Sequence, residues 1–198
     1  MTDFTDIEKN LIRRGYSVKI VANAAEAADY LDGVLNDTTV GIGGSATVKA
    51  TGLYERLGAH NTVYWHWEQD MDMARKAAMQ TAVYLTSVNA IAETGEIVNI
   101  DGVGNRVASM LFGHQKVYYL VGRNKIAATY EDAVWRARNV AAPHRAQQQN
   151  KKTPCAIKAE RCYDCMSPER ICGSMVTQWK PMAGCAAEII LIDEDLGL

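Results

Sequence analysis

The sequence predicts an α/β fold, a Rossmann-like and mostly parallel sheet with helices on both faces. Three observations predict it. Short β-branched and aliphatic runs recur along the chain ("TTVGIGG", "TAVYLTS", "QKVYYLVG", "AAEIILI"). Amphipathic or alanine-rich segments of helical length alternate with them, and glycine-rich junctions join the two kinds. Apolar runs without alternation are the mark of strands buried on both faces, which parallel sheets require. The 198 residues, 48% hydrophobic and 22% charged, suit one globular domain spanning 1–198.

The elements follow in order. "TDIEKNLIRRG" is a short amphipathic helix, with Thr5 as N-cap and Gly15 as stop. "YSVKIVA" is a strand. "NAAEAADYLDGVL" is a helix capped by Asn23. "TTVGIGG" is a strand running into a loop, and Ser45 caps the helix beginning "ATVKATGLY". "TVYWHW" is a strand, and "EQDMDMARKAAMQ" a helix with acids first and bases later, as its dipole favours. "TAVYLTS" and "NAIAETGEIVNID" are strands, the second broken by a hairpin-like turn at Thr94-Gly95. "GNRVASMLFG" is a short helix, "QKVYYLVG" a buried strand, and "YEDAVWRARNVAA" a helix stopped by Pro143. "HRAQQQNKK" is a polar, basic connector, a helix end or a linker. Residues 153 to 186 form a cysteine-rich excursion before the closing strand "AAEIILIDED".

Charge and hydropathy exclude some functions. A net charge of −2 gives no broad basic field for nucleic acid or an anionic lipid surface. No apolar run approaches the ~20 residues of a membrane helix. The charged N-terminus does not read as a signal peptide, so a cytoplasmic, reducing setting is expected.

Two strand-to-glycine-to-helix junctions stand out, "VGIGGSAT" at 40–47 and "IDGVGNRVA" at 100–108. Ligands of open α/β sheets bind beyond the carboxyl ends of strands. Ser45, Thr47 and Lys49 at the first junction, and Asn105 and Arg106 at the second, offer donors for phosphate or carboxylate. The competing reading is turn chemistry alone, because neither junction is a complete dinucleotide or phosphate-loop motif. Glu93, after an apolar strand, reads as a nucleophile or general base in a cleft, or as a surface hairpin acid. The four histidines lack metal-ligand spacing and read as structural, and "YWHW" reads as core rings, with cofactor stacking as the alternative.

Cys155, Cys162, Cys165 and Cys172 are spaced C-x6-C-x2-C-x6-C, with Cys185 farther on. The central pair suits one edge of a metal, and the flanking pair completes a four-sulfur shell for zinc or an iron–sulfur cluster. A thiol–disulfide role and plain packing are the alternatives. Nearby Lys151, Lys152, Lys158, Arg161 and Arg170 would lower thiol pKa values or offset a negative cluster.

Taken together, "VGIGGSAT", "TSVNAIAETGEIVNIDGVGNRVASMLFG", "VYYLVGRNKI", "TPCAIKAERCYDCMSPERIC" and the final "DEDLGL" resemble the LUD-domain proteins, named for lactate utilization. The cysteine segment resembles a subgroup of small, stand-alone members. The resemblance implies a fold like that of sugar-phosphate isomerases and coenzyme A transferases. It also implies a place in the oxidation of L-lactate to pyruvate, alongside iron–sulfur electron-transfer proteins. In the related transferases a strand-end glutamate carries the acyl group, and Glu93 is the matching position here.

On this basis both glycine turns and "GRNK" at 122–125 become walls of one cleft, at the strand ends of a single sheet. The expected lining is Gly41, Gly43, Gly44, Ser45, Thr47, Lys49, Thr94, Gly95, Asn99, Asp101, Gly102, Gly104, Asn105, Arg106, Gly122, Asn124 and Lys125. Three functions compete: an accessory component of organic-acid oxidation that binds a small anion and carries a metal centre; an enzyme on a phosphorylated or thioester substrate; and a non-catalytic ligand sensor. Pairing into a homo-oligomer is a further expectation.

Overall fold

The computed structural model describes residues 2–158 and 160–198. Among the described residues, ten strands and nine α-helices alternate as the sequence predicts. The main sheet runs in the order β1 (Ser17–Val21), β10 (Ala186–Ile192), β7 (Lys116–Gly122), β4 (Val83–Thr86), β2 (Thr39–Ile42), β3 (Thr62–Trp65). All its pairings are parallel. The closing strand "AAEIILI" is thus not an edge. It lies between β1 and β7, which explains why it is apolar at both alternating faces.

One face of this sheet is covered by α2 (Ala24–Val34), α3 (Ala46–Ala50) and α4 (Leu53–Gly58), whose Leu31, Val48, Leu53 and Leu57 pack with Val40, Leu85, Leu120 and Ile190. The other is covered by α1 (Thr5–Arg13) and α6 (Asn105–Leu111), through Ile7, Leu11, Val107 and Met110 against Tyr84, Tyr119 and Leu191. Helix α5 (Met71–Ala78) packs beside β3 and β2, with Asp70 as its N-cap. Asn23 and Ser45 cap α2 and α3 as expected. At α1 the cap differs: Thr5 is the first helical residue, and the side chain of Asp3 accepts from its N–H.

Two expectations change. The hairpin "NAIAETGEIVNID" does not join the main sheet. Its strands β5 (Ala90–Ala92) and β6 (Ile97–Asp101) form a second, four-stranded sheet in the order β8 (Ile126–Ala127), β5, β6, β9 (Ser174–Gln178). The cysteine excursion supplies β9, which pairs antiparallel to β6, so it is tied into the fold at both ends. The second change is at Pro143. The helix that begins as α7 (Tyr130–Arg136) widens into a π-helical turn at Ala137–Ala141 and continues as α8 (Ala142–Gln148). Pro143 lies at the start of α8, where the wider turn accommodates its missing N–H. The "HRAQQQ" connector is therefore largely helical. Helix α9 (Pro154–Lys158) follows it. Among the described residues no helix is long and apolar enough to cross a membrane.

Candidate functional site

Strands β2, β3, β4 and β7 are parallel, so their carboxyl ends open on one side of the molecule. The residues immediately beyond them are Gly44 and Ser45, His66 and Trp67, Ser87 to Asn89, and Lys125. All of these line one cavity of about 610 Å³. The opposite wall comes from outside the main sheet: Ile100 and Asp101 at the end of β6, Gly102, Val103, Asn105 and Arg106 after it, Arg145 and Gln148 on α8, and Arg170 to Cys172. Ser45 and Arg106 thus share one hollow. The side chain of Arg106 also passes the first glycine turn, 3.3 Å from where a Cβ on Gly43 would stand.

Charge is the cavity's main character. Six basic side chains line it (Arg75, Arg106, Lys125, Arg145, Lys151 and Arg170) against one acidic side chain, Asp101. Arg106 pairs with Asp101 and Arg170 with Asp164. The other four make no ion pair among the described residues. Arg145 lies over the Trp67 ring, 5.0 Å from its centroid, and Trp67 stacks on Trp65. Arg75 Nε and His66 Nδ1 are buried without a hydrogen-bond partner among the described residues. Burial, then the nearby charges of Arg75 and Arg145, hold the His66 imidazole below its ordinary pKa.

Lys125 is the most constrained of these groups, only 4% exposed. Its Nζ donates to Thr47 Oγ1 at 2.8 Å, Ser87 Oγ at 3.0 Å and the Val88 carbonyl at 3.2 Å. Among the described residues it makes no ion pair with a carboxylate. Burial, and then the positive Arg136 and Arg106, bring its pKa down to about 7.

The predicted lining divides. Gly44, Ser45, Asp101, Gly102, Asn105, Arg106 and Lys125 are brought together at the cavity. Arg106, however, is not a free clamp. Its guanidinium donates to Asn99 Oδ1 at 2.6 Å, Ile100 O at 2.7 Å, Asn89 Oδ1 at 3.1 Å and Ser87 O at 3.3 Å. It binds the two sheets to each other. Asp101 accepts from the N–H groups of Val103, Gly104 and Val107, so the start of α6 already holds a carboxylate of its own. Gly102 serves packing, because a Cβ there would run into the carbonyl of Ile171.

The remainder of the predicted set lies elsewhere. Gly41 is inside β2, where a Cβ would come within 2.5 Å of the Ala78 carbonyl oxygen. Thr47 faces Lys125 and the Leu196 carbonyl from behind the cavity wall, and Asn99 is buried against Asn89 and Arg106. Lys49 is exposed and pairs with Glu68. Gly104 sits at the α6 N-cap position with φ of 90°. Gly122 and Asn124 hold the C-terminal segment: Asn124 Oδ1 accepts from Leu196 N at 3.1 Å, and a Cβ on Gly122 would meet the same segment. Glu93, Thr94 and Gly95 form the β5–β6 turn, which docks on α1 through Asn10 and Arg14. Glu93 does not line the cavity.

Sequence reading missed His66, Trp67, Arg75 and Arg145. The "YWHW" run was visible as a strand, but its last two residues lie beyond the strand end at Trp65 and turn into the cavity. Arg75 and Arg145 carry no local signal, since surface helices commonly carry such bases.

The four cysteines Cys155, Cys162, Cys165 and Cys172 converge on a second, small hollow of about 20 Å³, shared with Pro143, Arg138 and Arg170. All five cysteines are free thiols. Among the described residues no three His, Cys, Asp or Glu side chains are drawn together as metal ligands. The donor chemistry nevertheless fits a thiophilic metal. Cys172 Sγ accepts from Arg170 Nε at 3.2 Å, and Cys162 Sγ accepts from Asp164 N at 3.3 Å.

The chain matches the LUD domain model over residues 5–184. It belongs to the LUD domain family. Among solved structures, this LUD domain is similar to a DUF162 family protein from Deinococcus radiodurans, with 15% identity, 94% of each chain covered and a TM-score of 0.55. At that identity the likeness concerns the fold, and it agrees with the parallel sheet described above. No curated protein matches the LUD domain chain.

Proposed function

We propose that this LUD domain protein binds a small, multiply anionic organic molecule in the 610 Å³ cavity, as an accessory component of organic-acid utilization in the cytoplasm. One observation carries the reading: six basic side chains line the cavity against one acidic side chain, and Arg75, Arg145 and Lys151, which have no ion pair among the described residues, leave positive charge uncompensated. Unpaired cations around a concave site cost desolvation unless an anion repays it. Family membership supports a role related to lactate utilization. The volume falls in the range of pockets for larger organic ligands and exceeds what a three-carbon acid fills. A phosphorylated or thioester-bearing molecule fits that size better than free lactate.

The test is a melting-temperature screen with L-lactate, pyruvate, pyrophosphate, a sugar phosphate and coenzyme A, each matched for ionic strength with potassium chloride. A native-state ligand raises apparent stability by mass action. A saturable rise with a polyanion, lost in Arg145→Glu, is expected. Shifts no larger than those of potassium chloride would reject the reading.

His66 favours a second reading, catalysis on such a ligand. Its imidazole, held below its ordinary pKa at the cavity wall, is neutral at physiological pH and is a general-base candidate. Glu93 is not offered as the nucleophile, because the β5–β6 turn carries it to α1. Loss of turnover in His66→Gln with binding retained would support catalysis. Unchanged turnover would dismiss His66 as the base.

A further inference from the structure

We propose that Cys155, Cys162, Cys165 and Cys172 hold a thiophilic metal centre, zinc or an iron–sulfur cluster, that pins one wall of the anion cavity. The four thiols, all within residues 155–172, ring one hollow. Residues 160–173 carry no helix or strand, and the four cysteines form no disulfides. A few backbone anchors hold this segment: Cys162 N to Asn139 Oδ1 at 3.1 Å, Lys152 N to Glu169 Oε2 at 2.9 Å and Gly173 N to Asp101 O at 2.8 Å. An irregular segment of this kind gains stability from a metal staple, because metal binding free energy adds directly to folding free energy.

Charge supports the assignment. Four thiolates around a divalent ion leave two negative charges, and two guanidiniums, Arg138 and Arg170, line the same hollow. Each thiol releases its proton as it binds, so loading liberates acid. The sulfurs ring the hollow without being drawn in as ligands, and loading would close that ring.

The centre and the cavity share a wall. Arg170, Ile171 and Cys172 line both hollows. Ile171 also presses its carbonyl on Gly102 of the second glycine turn. Fixing Cys172 on a metal therefore fixes residues that face the ligand. This coupling rests on the anion-site reading; the metal site itself does not.

The experiment uses the full chain purified without oxygen, then loaded separately with zinc(II) or with iron(II) and sulfide. Metal and acid-labile sulfide are measured, and visible absorbance is recorded. About one zinc ion or one cluster per chain is expected. Colourless protein with zinc identifies the single ion, and coloured protein with sulfide identifies the cluster; either supports the site. Retention should fall at least tenfold in Cys162→Ser/Cys165→Ser and persist in Cys185→Ser, since Cys185 lies outside the hollow. Circular dichroism and the pyrophosphate-induced melting shift of the metal-free variant show whether it has folded. Failure of wild-type protein to retain either centre, or equal retention by a folded double variant, would overturn the site. Tighter pyrophosphate binding by loaded than by metal-free protein supports the coupling, and equal affinity overturns it. Loaded and metal-free protein that both ignore pyrophosphate speak against the anion reading alone, so the two failures are distinguishable.

Discussion

Replacing Lys125 with methionine should change how stability depends on pH. The amine is buried, faces two hydroxyls and a carbonyl, and makes no ion pair with a carboxylate among the described residues. Its pKa falls from an ordinary 10.5 to about 7, through burial first and the positive Arg136 and Arg106 second. Below about pH 7 the amine is charged in both the folded and the unfolded chain, and the full burial cost is present. Between about pH 7 and 10.5 the folded state has shed the proton while the unfolded chain keeps it, so stability from this group rises with pH. The gain is about 1.4 kcal/mol per pH unit, or about 5 kcal/mol at most over the interval. Lys125→Met removes this dependence. It also loses three hydrogen bonds, an offset of about 1 kcal/mol each that does not vary strongly with pH. Urea unfolding of both proteins at several values from about pH 6.5 to 9.5 reads the effect. Wild type should gain about 3 kcal/mol relative to the variant across that range. Parallel stability profiles would refute the claim that a neutral amine lies beneath the cavity.

Three other outcomes follow from the same geometry. Arg106→Ala should cost about 3–5 kcal/mol in urea unfolding, because its guanidinium satisfies Asn89, Asn99 and two carbonyls between the sheets; a loss below about 1 kcal/mol would contradict that role. Gly41→Ala should destabilise by about 1–3 kcal/mol and lower the melting temperature, since its Cβ would stand 2.5 Å from the Ala78 carbonyl oxygen; an unchanged melting temperature would mean the strand yields freely. Glu93→Gln should leave the polyanion-induced melting shift intact, its turn being docked on α1; loss of that shift would return Glu93 to the site.

What could be read from the sequence was set by local chemistry. The strands of the main sheet are short apolar runs, and period and composition suffice to find them. Asn23 and Ser45 announce their helices by capping chemistry, and each bonds the expected N–H. The first glycine turn could be placed at a strand end for the same reason. The second sheet could not be foreseen. Strand β9, "SMVTQ", is partly exposed and is defined only by its pairing with β6. That sheet also decides the site. It turns Glu93 toward α1 and leaves Asp101 and Arg106 to complete each other, so residues resembling an anion clamp became a structural joint. Two of the bases that remain unpaired, Arg75 and Arg145, stand on helices 70 residues apart and meet only in the folded chain. Pro143 misled because the π-helical turn before it removes the usual consequence of a proline.

The most direct test is calorimetric titration of pyrophosphate into wild-type protein and into Arg75→Glu/Arg145→Glu, at low salt and at matched ionic strength. A charge-selective cavity predicts saturable binding by wild type, weakened by at least tenfold in the double variant and by added salt. Equal affinity in the two proteins, or no saturable heat in wild type, would contradict it.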